Sequence, residues 1–375
     1  MVIDNMKRKI KIVHFLYNMS NGGVETVLLN YFSNINLENI TLYAIIQDQP
    51  DLNCVNKFKK LNFEIIQLKN KKNHPILYTI EVLKILNKIK PDIVHSHMNL
   101  SNFFPLLLAK CSHIKVRISH SHSYKSSKTL LVCFLSFLNK IIATQYMACG
   151  KDAAIYQFGK KLYNKNNIYI LSNAINVEQY EFNSNIRKSI RDEFNLSEYI
   201  VIGHIGRFTE QKNHIFLLKT FKNILQFNKK FKLLLIGTGP LKSEIIKYVY
   251  ENKINDNVIF LECRDDIPKL LMAMDLFFLP SLYEGLPLVA IEAQASNLFC
   301  VFSDKITREC QILPKTKFVT IDNDTLPWEK VALNFNIDSD SKRNENIKKI
   351  FEKSGFDIES EAARLEQYYF KILER

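Results

Sequence analysis

Two glutamates, Glu284 and Glu292, stand with seven residues between them in the stretch 280–297, PSLYEGLPLVAIEAQASN. The pattern predicts a strand end, a loop holding Gly285, and a helix that begins at Pro287, where a proline's missing N–H had no partner anyway. Free N–H groups at a helix start favour a phosphate or sugar oxygen. Carboxylates beside such a site repel phosphate but accept hydrogen bonds from hydroxyls, so the chemistry they suit is binding of sugar or ribose OH groups. On spacing alone a plainer account is favoured, with Glu284 capping the helix and Glu292 solvated.

Three more stretches could hold an anion. Residues 203–214, GHIGRFTEQKNH, follow an apolar strand, and Gly206 reads as the glycine of a tight turn. Arg207 and Lys212 then offer a planar fork and a point charge, a pair suited to a diphosphate. Residues 235–241, LIGTGPL, end another strand in a turn containing Gly237; a lone G-x-G can equally serve close strand-to-helix packing. Residues 21–25, NGGVE, follow the first strand, and Gly22 and Gly23 would let backbone N–H groups approach a phosphate, although a plain turn explains them as well. The dinucleotide fingerprint G-x-G-x-x-G is absent there, which counts against an oxidoreductase.

Parallel α/β sheets must position these stretches. Short apolar runs alternate with longer helical patterns along the whole chain. Strands are predicted at 11–16, 42–47, 63–68, 93–95, 116–119, 146–148 and 168–171, then at 200–205, 232–236, 258–261, 276–279, 299–302 and 318–321. This is an α/β chain of two consecutive doubly wound sheets, with a boundary at the polar turn 173–177. Ligands of such sheets bind beyond the carboxyl ends of the strands, which predicts a substrate in a cleft between the two domains.

The 375 residues suffice for two domains with their own cores. Hydrophobic residues at 47% and charged residues at 24% give the balance of a soluble globular protein. The polar, basic N-terminal stretch 1–9 has no secretory character, and seven scattered cysteines without metal-ligand spacing predict reduced thiols and a cytoplasmic location. Residues 1–175 carry 23 Lys and Arg against 9 Asp and Glu, whereas the remainder carries 28 against 29. Either the first half faces an anionic partner, such as a phospholipid surface, or its lysines are simply solvated.

Together the stretches NGGVE, PDIVHSHM (91–98), VRISHSH (116–122), LSNAIN (171–176), GRFTEQK (206–212) and the Glu284/Glu292 pair resemble, in order and over nearly the whole chain, the glycosyltransferase family 4 pattern. The bacterial members that build exopolysaccharide, capsule or lipopolysaccharide are the most similar. The resemblance implies the GT-B fold of two Rossmann-like domains, with 1–174 on the acceptor side, 175–357 on the donor side, and a C-terminal helix at about 358–375 joined to the first. It implies that Glu284 contacts donor-sugar hydroxyls and Glu292 the ribose, and that Arg207 and Lys212 hold the diphosphate. Gly22 and Gly23 would approach the same phosphates, and Gly237, Arg264, Gly285 and Leu286 would complete the donor-binding set. His120 matches the family's active-site histidine, with His122 as a competing assignment; for His95 and His97 a structural role fits at least as well.

The implied activity is a retaining hexosyl or N-acetylhexosaminyl transfer from a nucleotide sugar, UDP by resemblance, to a glycan or lipid-linked acceptor. Front-face substitution is expected, with catalysis by positioning and charge stabilisation. No metal and no cofactor are expected, and Asp322-Asn323-Asp324 reads as a loop rather than a metal signature. Asp265 and Asp266 read as caps of the helix at 267–272. Two departures from the pattern stand out: Asn173-Ala174-Ile175-Asn176 has no glycine at the domain junction, and Glu262, Cys263 and Arg264 replace a glycine-containing turn.

The apolar stretch 129–143, TLLVCFLSFLNKIIA, is too short to span a bilayer. With Lys125, Lys128 and Lys140 around it, it is either a helix lying in the inner face of an anionic membrane or a buried helix of the first domain. Nucleic-acid binding is not expected, since no recognised motif appears. A nucleotide-sugar epimerase or dehydrogenase, or an inactive or regulatory relative, are the rival readings.

Overall fold

In a computed structural model, the structure describes residues 9–20, 22–47, 49–69, 71–124, 129–322, 324–336 and 347–374. Of the positions singled out above, residues 1–8, Asn21, Lys125, Lys128 and Asn323 lie outside the described residues. The chain divides into two compact units, Met1–Ala174 with Ile358–Arg375, and Ile175–Asp357.

The first unit is built on seven strands, β1 (Ile10–Phe15), β2 (Ile40–Ile46), β3 (Phe63–Gln67), β4 (Ile93–Ser96), β5 (Val116–Ser121), β6 (Gln145–Ala148) and β7 (Ile168–Ile170). They form one parallel sheet in the order β3-β2-β1-β4-β5-β6-β7. Strands such as IKIVHF and IVHS are buried along most or all of their length, as strands covered by helices on both faces must be. The core gathers Val13, Phe15, Ile45, Val94, Tyr78 and Leu86. The helix Ile358–Leu373 belongs to this unit and lies on the helix Gly23–Phe32, burying Leu365, Tyr369 and Ile372.

The second unit carries β8 (Ile200–Ile205), β9 (Phe231–Ile236), β10 (Val258–Leu261), β11 (Leu276–Leu279), β12 (Phe299–Ser303) and β13 (Thr316–Val319), all parallel, in the order β10-β9-β8-β11-β12-β13. Its core includes Trp328, Phe216, Phe221 and Phe278, and the Trp328 indole N–H donates to the Thr320 carbonyl at 2.7 Å. All thirteen strands fall where the apolar runs predict them, within two residues at each end.

In each sheet the chain reverses direction of winding once, between β1 and β4 in the first unit and between β8 and β11 in the second. At such a switch point the connections leave on opposite faces and open a crevice at the strands' carboxyl ends. The stretches NGGVE, PDIVHSHM, VRISHSH and GRFTEQK and the Glu284/Glu292 loop lie at or after one of these strands or β5, their neighbour, whereas LSNAIN follows β7, LIGTGPL ends β9 and Arg264 follows β10.

Two sequence expectations change here. Ala174 does not have a positive φ, so the junction turn needs no glycine; Asn176 caps the turn that follows by accepting from the Glu178 N–H at 3.1 Å. Asp266 does not cap the helix Ile267–Ala273 with its side chain. Its carboxylate is taken by Arg264 in a two-pronged pair at 2.8 and 2.7 Å.

Candidate functional site

In the second unit the loop after β8 and the loop after β11 meet. The backbone N–H of Leu282 donates to the Gln211 carbonyl at 2.8 Å, and the Gln211 amide donates to the Tyr283 carbonyl at 2.9 Å. The short turn Glu210–Lys212 ends at Asn213, whose left-handed φ of 55° turns the chain into the helix His214–Phe227. Asparagine tolerates that conformation better than most residues. The result aims Lys212 at Glu284: Nζ lies 2.7 Å from Oε1, while Oε2 accepts from Gln211 at 3.0 Å. Gly206 serves this arrangement rather than a strained turn. A Cβ there would stand 2.9 Å from Cε of Lys212, so the glycine makes room for the lysine's stem.

Glu292 lies on the helix Leu288–Ala295, whose start at Pro287 carries no side-chain cap. Neither glutamate therefore has the plainer role: Glu284 does not cap the helix, and Glu292 is buried rather than solvated. The Tyr180 hydroxyl donates to Glu292 Oε1 at 2.9 Å. Burial pushes the Glu292 carboxyl up to about 7, opposed by the Tyr180 hydrogen bond and the charge of Lys212. One lysine thus bears on both glutamates, and the three form the nucleus of the site. Gly285 and Leu286, both buried, connect them.

Two residues without a sequence signal adjoin this nucleus. His204 on β8 contacts the Phe278 carbonyl through Nδ1 at 2.8 Å, and its Nε2 is buried without a partner. His214 packs edge-on against it at 4.8 Å with both ring nitrogens buried and unpartnered. Burial lowers His204 to about 4 and His214 to about 2, so both are neutral. Tyr180 likewise carried no signal, and Gln211 lay within GRFTEQK without being singled out.

The remaining donor-side expectations fare differently. Arg207 is exposed, and its guanidinium has no side-chain partner among the described residues. Arg264 is held by Asp266 and makes no contact with Glu284, Glu292 or Lys212. Gly237, at φ +139°, is explained by packing: a Cβ would lie 2.2 Å from the Gly206 carbonyl oxygen, and at Gly239 2.5 Å from that of Phe208. Lys242 pairs with Glu262 at 2.6 Å in the turn that departs from the family pattern.

In the first unit the switch point is filled by histidines. β1 and β4 pair with His14 opposite His95, and His97, His120 and His122 complete the cluster. His14 Nδ1 lies 3.0 Å from His97 Nε2, and His97 Nδ1 3.0 Å from His122 Nε2. A second chain runs from the Tyr369 hydroxyl to His95 Nδ1 at 2.9 Å and from His95 Nε2 to His120 Nδ1 at 3.1 Å. Asn102 fixes the frame: its Oδ1 accepts from Ser96 Oγ and the Met98 N–H, and its Nδ2 donates to Ser119 Oγ and the His120 carbonyl.

Burial keeps all five rings neutral, lowering His14 and His122 to about 3 and the other three well below the usual imidazole range. Among the described residues, His14, His95 and His97, and likewise His97, His120 and His122, bring ring nitrogens within 4.8 Å of one another, close enough to share a metal ion, although no carboxylate belongs to either group.

Gly22 and Gly23 precede and open the helix Gly23–Phe32, and they are not equivalent. A Cβ on Gly22 would stand 2.6 Å from Glu25 Oε2, whereas Gly23 has open space beside it. Glu25 folds back so that the backbone N–H groups of Ser20, Gly22 and Glu25 favour its charged form, and burial nevertheless raises its carboxyl to about 7. The helix start expected to face a phosphate is thus occupied by the chain's own carboxylate.

The helix Leu130–Ile142 has its polarity inverted. Ser136 and Asn139 are buried, the latter donating to the Leu100 and Leu135 carbonyls, while Leu130, Leu131, Phe134, Phe137 and Ile141 are exposed. No helix among the described residues is long and apolar enough to cross a membrane.

Residues 186–325 match the family model described as glycosyl transferases group 1. The putative glycosyltransferase EpsF of Bacillus subtilis is 30% identical over 320 residues, 80% of each chain. The UDP-Gal:alpha-D-GlcNAc-diphosphoundecaprenol alpha-1,3-galactosyltransferase of Escherichia coli is 28% identical, over 81% of this chain and 82% of that one. Among solved structures, HepE of Anabaena, crystallised with UDP and glucose, superposes with a TM-score of 0.78 at 13% identity, over 96% of this chain and 100% of that one. That likeness shows the GT-B fold.

Proposed function

The chain belongs to the group 1 glycosyltransferases of polysaccharide biosynthesis, and from that premise we propose that it transfers a hexose or N-acetylhexosamine from a UDP-sugar, with retention, to a lipid-linked glycan. The observation that carries this reading is Lys212 shared between Glu284 and Glu292 beside an uncapped helix start at the β8/β11 switch point. A cation and free N–H groups suit a diphosphate, and two carboxylates suit hydroxyls on either side of it. Glu292 takes the ribose, Glu284 the sugar, and Lys212 the phosphates, joined by the exposed Arg207. UDP is supported by the HepE complex.

Transfer then proceeds on one face. The bond from the anomeric carbon to the diphosphate oxygen breaks, the acceptor oxygen bonds to that carbon from the same side, and the acceptor's proton passes to the departing phosphate oxygen. Lys212 and the helix start stabilise the charge that develops on the leaving group. His120 contacts the sugar, and no metal is needed for these roles.

A lipid-linked acceptor is supported by the E. coli relative, whose name specifies a diphosphoundecaprenol substrate. A second observation favours it: the outward apolar face of Leu130–Ile142, next to Lys140, suits the surface of an anionic membrane on the cytoplasmic side. The decisive experiment is a thermal-shift screen of the full chain against nucleotide sugars, because a ligand that binds the folded state raises its melting temperature. A UDP-sugar should raise it and be turned over. An NAD(P)-dependent shift would point to the epimerase or dehydrogenase reading, binding without turnover to an inactive relative, and no shift by any nucleotide sugar would sink the proposal.

A further inference from the structure

We propose that Tyr369, acting through His95, fixes the tautomer of His120 so that its Nε2 presents an N–H rather than a lone pair. The inference rests on the reading of His120 as the residue facing the sugar, and it adds to that reading the direction of the hydrogen bond and the residue that sets it.

A neutral imidazole has one N–H and one lone pair, so in a chain of rings each hydrogen bond dictates the next. Burial holds His95 and His120 neutral, and burial raises the Tyr369 hydroxyl well above its ordinary range, which keeps its proton in place. Two proton arrangements satisfy the observed distances. In the first, Tyr369 O–H donates to His95 Nδ1, His95 Nε2–H donates to His120 Nδ1, and the His120 proton is left on Nε2. In the second every bond is reversed: His120 Nδ1–H donates to His95, His95 Nδ1–H donates to the Tyr369 oxygen, and the Tyr369 proton points nowhere.

Tyr369 is fully buried, and His95 is its one hydrogen-bond partner among the described residues. The second arrangement therefore strands a hydroxyl proton inside the protein in addition to leaving His120 Nε2 unmatched. Leaving a buried donor unsatisfied disfavours it by about tenfold or more. His120 Nε2 is buried and unpartnered. It becomes a ready-made donor for a ligand oxygen, with its proton held in place by a residue on the helix Ile358–Leu373. The parallel chain His14–His97–His122 has no hydroxyl at its end and so lacks this bias.

The test is the tautomeric state of the ring nitrogens in the full-length protein labelled with 15N-histidine, read from two-bond 1H–15N correlations without any ligand. His120, assigned by the signal lost in His120→Gln, is expected to be Nε2–H in the wild type. In Tyr369→Phe both arrangements leave equal numbers of stranded groups, so the two tautomers of His95 and His120 should approach equal populations while His14 and His97 are unmoved. Turnover should fall only about twofold, in step with the competent fraction, and UDP should still raise the melting temperature.

A wild-type His120 protonated on Nδ1 would overturn the proposal, and so would an unchanged ratio in Tyr369→Phe. Stoichiometric zinc in the purified protein, lost in His97→Ala, would also overturn it, since the short N···N separations would then belong to ligands. The wild-type tautomer is read without relying on Tyr369→Phe to fold. Because no donor is present, an Nε2–H signal in a chain that no nucleotide sugar stabilises would leave the relay standing and sink the glycosyltransfer reading instead.

Discussion

Lys212 Nζ lies 2.7 Å from Glu284 Oε1, and its charge also favours ionised Glu292. Lys212 is thus paired with the carboxylate to which the proposed function gives the sugar hydroxyls. On that proposal diphosphate would share Lys212 with Glu284, tying phosphate binding to the position of the sugar-binding carboxylate. Lys212→Ala is expected to lower turnover by at least about a hundredfold, the scale of a lost charge-stabilising group. It should also cost about 1–3 kcal/mol, because Glu284 is left largely buried with Gln211 alone. Lys212→Ala/Glu284→Gln should recover the melting temperature but none of the activity. Recovery of activity in the double variant would show that the pair is structural.

Glu292 sets a pH dependence. Its carboxyl is raised to about 7, so the folded chain holds that proton more tightly than the unfolded chain does. The associated stability is fully present below the ordinary carboxyl range and is lost as pH rises through about 7, on the order of 3 kcal/mol in total. Glu292→Gln, which can still accept from Tyr180, should gain in melting temperature relative to wild type from pH 5 to pH 8. On the proposed ribose contact the ionised carboxylate is the better acceptor, so the Kd for a UDP-sugar, whose diphosphate does not titrate in this range, should fall by about fivefold between pH 6 and pH 7 in wild type and stay flat in Glu292→Gln. Glu25 titrates in the same range, so Glu25→Gln serves as the control; a wild-type slope that vanishes there instead would reassign the effect.

Glycines separate by what their missing Cβ would meet. At Gly237 the obstacle is the Gly206 carbonyl at 2.2 Å, and φ is +139°. Neither can yield, so Gly237→Ala should destabilise by about 2–4 kcal/mol and disturb the loop that aims Lys212. At Gly22 the obstacle is the free end of Glu25. Gly22→Ala should cost only about 1 kcal/mol, and Glu25→Ala in the same chain should remove most of that cost. Equal losses for the two single variants, measured by chemical denaturation, would contradict this account.

The fold was legible because parallel strands covered on both faces are continuous apolar runs, LLLI in β9 or LFFL in β11, separated by helical patterns. The glutamate pair, GRFTEQK and NGGVE stood out because glycine and charge coincide at predicted strand ends, although each also had a plainer account as a turn or a cap. What those residues touch was not. Tyr180 reaches Glu292 from 112 positions away. Gly206 reads as a turn glycine yet serves the stem of Lys212. NGGVE reads as an open phosphate cradle, but whether Glu25 folds back into it depends on local packing. The histidines of VHSH and ISHSH were visible singly, whereas their continuity depends on strand register and on Tyr369, a residue of the last helix.

The segment 129–143 shows the same limit most clearly. A helix of mostly apolar residues reads equally as core or as membrane surface, and only the partners of its few polar residues decide which way it turns. Asn139 is fully buried and accepts from Ser119 Oγ at 3.2 Å while donating to two carbonyls, so that face is committed to the protein. The committed face leaves Leu130, Phe134, Phe137 and Ile141 outward at helical spacing, 53–91% exposed. Phe134→Ser/Phe137→Ser should therefore leave the unfolding free energy within about 1 kcal/mol of wild type, since exposed side chains contribute little to folding. The same variant should lose most of its sedimentation with vesicles of anionic phospholipid at low salt, a binding that wild type should lose as salt is raised. Unaltered vesicle binding by the variant would move the contact elsewhere, and no binding by wild type would leave this face without a membrane role.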